Sequence, residues 1–199
     1  MARARSIETV FLNIPYDLEF QDLFLGYVVG LIQLGLRPIL TFAIPNQDRL
    51  DAIINLIDSS NYSIHDLSRT ESTEGIPRFN MPLELGLALH RRHETRGKHQ
   101  VYIFESKPYR TQQSTSDVNG IDPYIHHGKP GEIMTQLRNI FRQQGDTTTV
   151  PDMFAGYRAI KRRLPEFRRN AGGGSLFEPA IFADIALAAL VDFERRTGN

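Results

Sequence analysis

The chain of 199 residues has no cysteine, which excludes disulfides, thiolate metal sites and thiol catalysis together and fits a reducing compartment. It has no excess charge of either sign: 23 Lys and Arg stand against 23 Asp and Glu, so the overall balance draws it neither to nucleic acid nor to a membrane surface. No apolar run approaches the roughly 20 residues of a membrane-spanning helix. The basic start Met1-Ala2-Arg3-Ala4-Arg5-Ser6 passes directly into a strand-like run without the apolar segment of a signal peptide, so a cytoplasmic location is expected. Two glycine signatures are missing as well. The turn after the first apolar run is Asn13-Ile14-Pro15-Tyr16-Asp17, which is neither a dinucleotide fingerprint nor a phosphate-cradling P-loop and argues against hydride transfer and ATP hydrolysis. No Gly-x-Ser-x-Gly elbow occurs, which weakens a Ser-His-Asp hydrolase, and no internal repeat is present.

What is there is an ordinary globular composition, 41% apolar and 23% charged, arranged as alternating short apolar runs and helical periodicities. Residues 9–14, 37–44, 62–68 and 99–105 read as strands. Between the first two, Phe20, Leu23, Phe24, Tyr27, Val28, Leu31 and Ile32 recur at helical spacing up to a stop at Gly35. Leu50, Ile53, Ile54 and Ile57 mark a second helix, and a third runs from Pro82 to about Glu94. Strands separated by such helices imply right-handed crossovers and a parallel sheet covered on both faces. The expected fold class is therefore α/β and flavodoxin-like (Rossmann-like), with a helical C-terminal extension. Residues 1–145 are expected to form the α/β domain, catalytic or ligand-binding, and 146–199 the extension, packed on it or at an oligomer interface. In the extension, Pro151 to Asn170 is expected to be interrupted by Pro165, and Leu176 to Arg196 carries apolar residues over more than one stripe, which points to a homo-oligomer. The polar stretch Lys107–Lys129 is expected to form a lid or substrate wall.

In a sheet of this kind ligands sit beyond the carboxyl ends of the strands. The strand-end loops carry Asp17, Asp66, Glu84 and, in the polar stretch, Asp117 and Asp122. Arg78-Phe79-Asn80-Met81-Pro82-Leu83-Glu84-Leu85-Gly86 is the organising segment: Pro82 suits the first helical position, Asn80 or Met81 the N-cap, and Glu84 then lies near the third helical position, where the helix start favours an ionised carboxylate. A fixed carboxylate can stabilise or trap the oxocarbenium-like state of glycosidic cleavage. Tyr16 and Phe79 offer flat faces to a nucleobase, and Arg78 suits a phosphate. His90 with His93, and His126 with His127, lack an acidic partner spaced to complete a ligand set, so neither a metal nor another cofactor is expected. The basic run Lys161–Arg169 reads as a solvated face or partner contact, and nucleic acid is not expected as a ligand.

Strand one running into Ile14-Pro15-Tyr16-Asp17, strand three ending at His65-Asp66-Leu67-Ser68, and Asn80-Met81-Pro82-Leu83-Glu84-Leu85-Gly86 together resemble the nucleoside 2-deoxyribosyltransferase-like and TIR-like superfamily, over about residues 8 to 106. The resemblance implies a flavodoxin-like domain that cleaves the N-glycosidic bond of a nucleoside, nucleotide or NAD-like ligand. It implies Glu84 as catalytic glutamate, Asp66 and Asn80 orienting the ribose, and Tyr16 and Asp17 lining the base pocket. Transferases of the family often carry aspartate where this chain has Asn80, so hydrolysis is implied more firmly than transfer. The other reading is a TIR-like sensor module that binds a nucleotide-derived signal and acts through self-association.

Overall fold

The computed structural model describes residues 7–43, 49–70, 78–110, 121–143 and 147–197. Within them, strands β1 (Thr9–Asn13), β2 (Arg37–Ile39), β3 (Tyr62–Asp66), β4 (Gln100–Glu105) and β5 (Tyr124–Ile125) form one parallel sheet in the order β2-β1-β3-β4-β5, the flavodoxin-like arrangement. Helices α1 (Gln21–Ile32), α2 (Arg49–Ser59) and α3 (Asn80–Glu94) make the crossovers between the first four strands, and α4 (Pro130–Phe141) follows β5. Alternation along the strands sends neighbouring residues to opposite faces. Val10, Leu12, Ile64 and Phe104 join the core under α1 and α4, whereas Phe11, Val101 and Ile103 join the one under α2 and α3.

The chain beyond residue 146 is helical and continuous with the first of these cores. α5 (Val150–Asn170) and α6 (Pro179–Thr197) bury Met153, Tyr157, Ile160, Ile181, Ile185 and Ala189 against α1 and its neighbours. α5 starts at a capping box in which Thr149 accepts from the Asp152 amide and Asp152 accepts from the Thr149 amide. It does not break at Pro165, contrary to expectation. The ring is solvent-exposed and only one helical hydrogen bond is lost, at a cost of about 3 kcal/mol in a free helix; burial of Leu164 and Phe167 on either side offsets it.

Gly156 leaves room on α5 for side-chain ends that reach it from α1 and α6. A Cβ there would overlap Gln33 Nε2 and crowd Asp192 Oδ2, the two groups that hydrogen-bond at 2.8 Å between α1 and α6. Gly156→Ala is therefore expected to lower stability by about 1–3 kcal/mol despite its better helix propensity, measured as a drop in the urea midpoint.

Three element boundaries differ from the sequence pattern. β2 ends at Ile39 and the chain turns into a short 3-10 segment, Thr41–Ala43; β2 is an edge strand, where Pro38 with its missing N–H is tolerated. β5 lies inside the polar stretch that was expected to form a lid, and its two residues carry too little apolar signal to mark a strand. Residues 111–120 of that stretch lie outside the described residues, and Asp117 with them. α3 begins at Asn80 rather than Pro82, which places Pro82 at the third helical position and Glu84 in the second turn. No helix among the described residues is long and apolar enough to cross a membrane.

Candidate functional site

At the carboxyl end of β1 the chain turns through Ile14-Pro15-Tyr16 and faces the start of α3 across a polar cavity of about 300 Å³. Glu84, Asn80, Arg49, Arg78, Tyr16 and Asn13 are among the residues lining it. Glu84 is 5% exposed, held in the second turn of α3 between the buried Met81 and Leu85, which anchor the helix to the sheet. Burial pushes its carboxyl up to about 7 from the ordinary 4.5, against the pull of the Arg49 guanidinium and a hydrogen bond from Asn80. Desolvation is the largest of the three effects, because the carboxyl is almost wholly removed from water. Asn80, one helical turn before Glu84, thus turns its side chain to the carboxylate; the helix has no side-chain cap.

Arg78 reaches the cavity from the segment just before α3, and Asp17 anchors it. The Asp17 carboxylate lies 3.2 Å from Arg78 Nη1 and 2.9 Å from Arg69 Nε, and its other oxygen accepts from the Phe20 amide at 3.1 Å. Both carboxylate oxygens are therefore committed, and Asp17 acts on the cavity through Arg78. Tyr16 sits edge-on to Phe42 at 5.2 Å and tilted on Phe177 at 5.5 Å between ring centroids. Phe177 precedes α6, so the C-terminal helices support a cavity residue. Burial pushes the Tyr16 phenol up to about 12, so it stays protonated, 3.3 Å from the Thr41 hydroxyl.

The other expected residues lie elsewhere. Asp66 does not line this cavity: strand alternation turns it to the opposite face of the sheet from Glu84. There it is wholly buried and accepts from the Tyr27 hydroxyl at 2.8 Å and from the Ser68 amide at 2.9 Å. The Ser68 hydroxyl also donates to it, and His126 Nε2 approaches at 3.1 Å with its N–H off the hydrogen-bond line. The residue of that strand on the Glu84 side is His65. Phe79 is 74% exposed and is not part of the cavity wall. Asp122 is solvent-exposed just before β5. His90 pairs with Glu94 at 3.5 Å on the outer face of α3, and His126 belongs to the Asp66 network.

Two wall residues, Asn13 and Arg49, carried no motif. Asn13 is legible in retrospect as a polar residue closing a buried apolar strand at the ligand rim. Arg49 opens a helix whose sequence shows only an apolar stripe, and only the fold carries its charge to Glu84. No protein-family model, curated protein or solved structure matches the chain.

Proposed function

We propose that the cavity binds an anionic, nucleotide-like ligand and hydrolyses its N-glycosidic bond with Glu84 as the catalytic carboxylate. The observation that carries this reading is a buried glutamate, ionising near neutrality, in one polar cavity with two arginines. Arg49 and Arg78, beside the free amide groups at the start of α3, suit a phosphate, so a nucleotide or NAD-like ligand fits better than a neutral nucleoside. When the bond from ribose C1′ to the base nitrogen breaks, the electron pair leaves with the base and positive charge develops at C1′ and the ring oxygen. Ionised Glu84 stabilises or traps that charge. Water then adds at C1′; the proton it releases is taken up by a base that leaves as an anion, and goes to solvent when the base leaves neutral, as the pyridinium of an NAD-like ligand does. The Tyr16 phenol is a protonated donor on the wall that can hold the departing base or a sugar hydroxyl.

Incubation with a panel of nucleosides, nucleotides and NAD, followed by chromatography of the released base, tests the reading. Release from the wild type and a fall of about 10³-fold in Glu84→Ala are expected. No release from any member, or equal release by the variant, removes the enzymatic reading. The sensor reading is favoured by one observation: Leu187, Leu190 and Val191 on α6 are exposed at 62%, 41% and 37%, and the first two line an apolar groove of about 720 Å³ beside β2. Self-association through that face, with intact nucleotide recovered from the protein, would identify a sensor.

A further inference from the structure

Behind Glu84 a line of buried polar side chains crosses the sheet beneath α2 and α3. Asn13 Nδ2 lies 3.0 Å from the Met81 carbonyl and 3.0 Å from His65 Nδ1. His65 Nε2 is 3.1 Å from Ser63 Oγ, Ser63 Oγ is 3.1 Å from His99 Nε2, and His99 Nδ1 is 3.0 Å from the Ser60 carbonyl. Asn13, Ser63, His65 and His99 are all buried, so each donor needs an acceptor.

The direction of every bond follows from the two carbonyls, which only accept. The Met81 carbonyl requires the amide nitrogen of Asn13 rather than its oxygen, and the second N–H then donates to His65 Nδ1. That nitrogen must be the bare one, so the His65 proton is on Nε2 and is donated to Ser63. At the other end the Ser60 carbonyl requires the His99 proton on Nδ1, which leaves Nε2 to accept from the Ser63 hydroxyl. Starting from either end, Ser63 receives from His65 and donates to His99, with no donor facing a donor. A proton added to His65 would set Nδ1–H against the Asn13 amide, and one added to His99 would leave the Ser63 hydroxyl proton without its acceptor. Burial independently holds His65 down to about 3 and His99 below its ordinary value, so both rings stay neutral.

We infer that this one-directional chain fixes the Asn13 amide so that its carbonyl oxygen is the acceptor offered to the cavity, making Asn13 a specificity-determining residue for ligand donors such as sugar hydroxyls. Both N–H groups of Asn13 are spent on the interior, and Oδ1 has no protein partner among the described residues. Asn13 lines the cavity with Glu84, Arg49 and Arg78. A rigid acceptor selects a hydroxyl or amino group and rejects a carboxylate or phosphate oxygen at the same spot, leaving those to the arginines. His65, Ser63 and His99 act on the ligand only through Asn13 and are positioning residues. The sugar as occupant rests on the proposed N-glycosidic reading; the orientation of the amide does not.

Long-range 1H–15N correlation spectra of the histidine rings in the full chain at neutral pH test the orientation. His65 is expected as the neutral Nε2–H tautomer and His99 as the neutral Nδ1–H tautomer, with signals assigned by His65→Gln and His99→Gln. In Asn13→Asp the new carboxylate accepts where the amide donated, so His65 is expected to move its proton to Nδ1. A charged ring, the opposite tautomers in the wild type, or no change in Asn13→Asp overturns the chain. Calorimetry with ribose 5-phosphate and with inorganic phosphate tests the selectivity. Asn13→Ala is expected to weaken ribose 5-phosphate about tenfold, the worth of one hydrogen bond, and to leave inorganic phosphate unchanged. Equal weakening of both probes, no weakening of either, or no binding of ribose 5-phosphate by the wild type overturns the selectivity. Failure of base release in the Glu84 assay removes the enzymatic reading and leaves both of these results standing.

Discussion

At pH 8 the Glu84→Gln variant is expected to be more stable than the wild type by about 3 kcal/mol, with the difference vanishing below about pH 4.5. The folded carboxyl is pushed up to about 7 and the ordinary value is 4.5, so between these the folded state keeps a proton that the unfolded chain has released. Each unit of difference is worth about 1.4 kcal/mol. The sign is that of a raised carboxyl: wild-type stability falls as pH rises from 4.5 to 7 and is flat on either side of that window as far as Glu84 is concerned. Glutamine has the shape of the neutral acid and carries no such penalty. His65 and His99 act in the opposite sense, because unfolded imidazoles take up protons below about 6.5 that the buried rings refuse. They do so in both proteins, so the difference between the two pH–stability curves isolates Glu84. Urea melts across pH 4 to 9 provide the measurement, and parallel curves would show that Glu84 ionises as an exposed glutamate does. Under the proposed N-glycosidic reading, a carboxylate that must be ionised to meet an oxocarbenium ion is expected to give a rate that climbs through about pH 7 and levels above it.

Asp66→Ala is expected to cost about 3–5 kcal/mol, the usual loss when a buried, fully hydrogen-bonded carboxylate is removed and its donors remain. The hydroxyl of Tyr27, the amide and hydroxyl of Ser68 and the ring of His126 all converge on that one carboxylate. Burial pushes the Tyr27 phenol well above its ordinary value, and the negative Asp66 beside it adds to the shift, so the phenol remains a donor throughout the accessible pH range. Tyr27→Phe, which removes a single donor, is expected to cost only about 1–2 kcal/mol. Thermal melts order the three proteins as wild type, Tyr27→Phe, Asp66→Ala. Because Asp66 faces away from the Glu84 cavity, the proposed base release, measured per folded molecule, is expected to survive in both variants. Lost activity at unchanged stability would return Asp66 to the chemistry and contradict the separation of the two faces.

Legibility varied with the range of the interaction. The strand and helix periodicities are local, and they led to the parallel α/β sheet with its C-terminal helices. Glu84 was legible as a carboxylate near a helix start and Asn80 as a cap that the resemblance assigns to the ribose; the earlier helix start is what puts Asn80 one turn before Glu84. The start of α3 was misread because Pro82 is compatible with any of the first helical positions, where its missing N–H costs nothing, so it could not mark one of them. β5 escaped because two residues cannot show a period. Asp66 and His65 are neighbours in sequence, and no local pattern says which of them faces the helix that carries Glu84; one residue of register exchanges them.

Pattern and spacing therefore dictate the strand–helix alternation, the carboxyl-end rim of the sheet and the presence there of Glu84 with Asn80. Tertiary structure decides which polar groups share a cavity and which are sealed away. Arg49 meets Glu84 only because α2 and α3 pack side by side over β1, Phe177 supports Tyr16 only because the C-terminal helices fold back onto α1, and Asn13 gains its orientation from carbonyls 47 and 68 residues away in sequence. The physical reason is common to all three. Charge, desolvation and hydrogen-bond direction depend on distances through space that a chain sets only once its two cores have closed on the sheet.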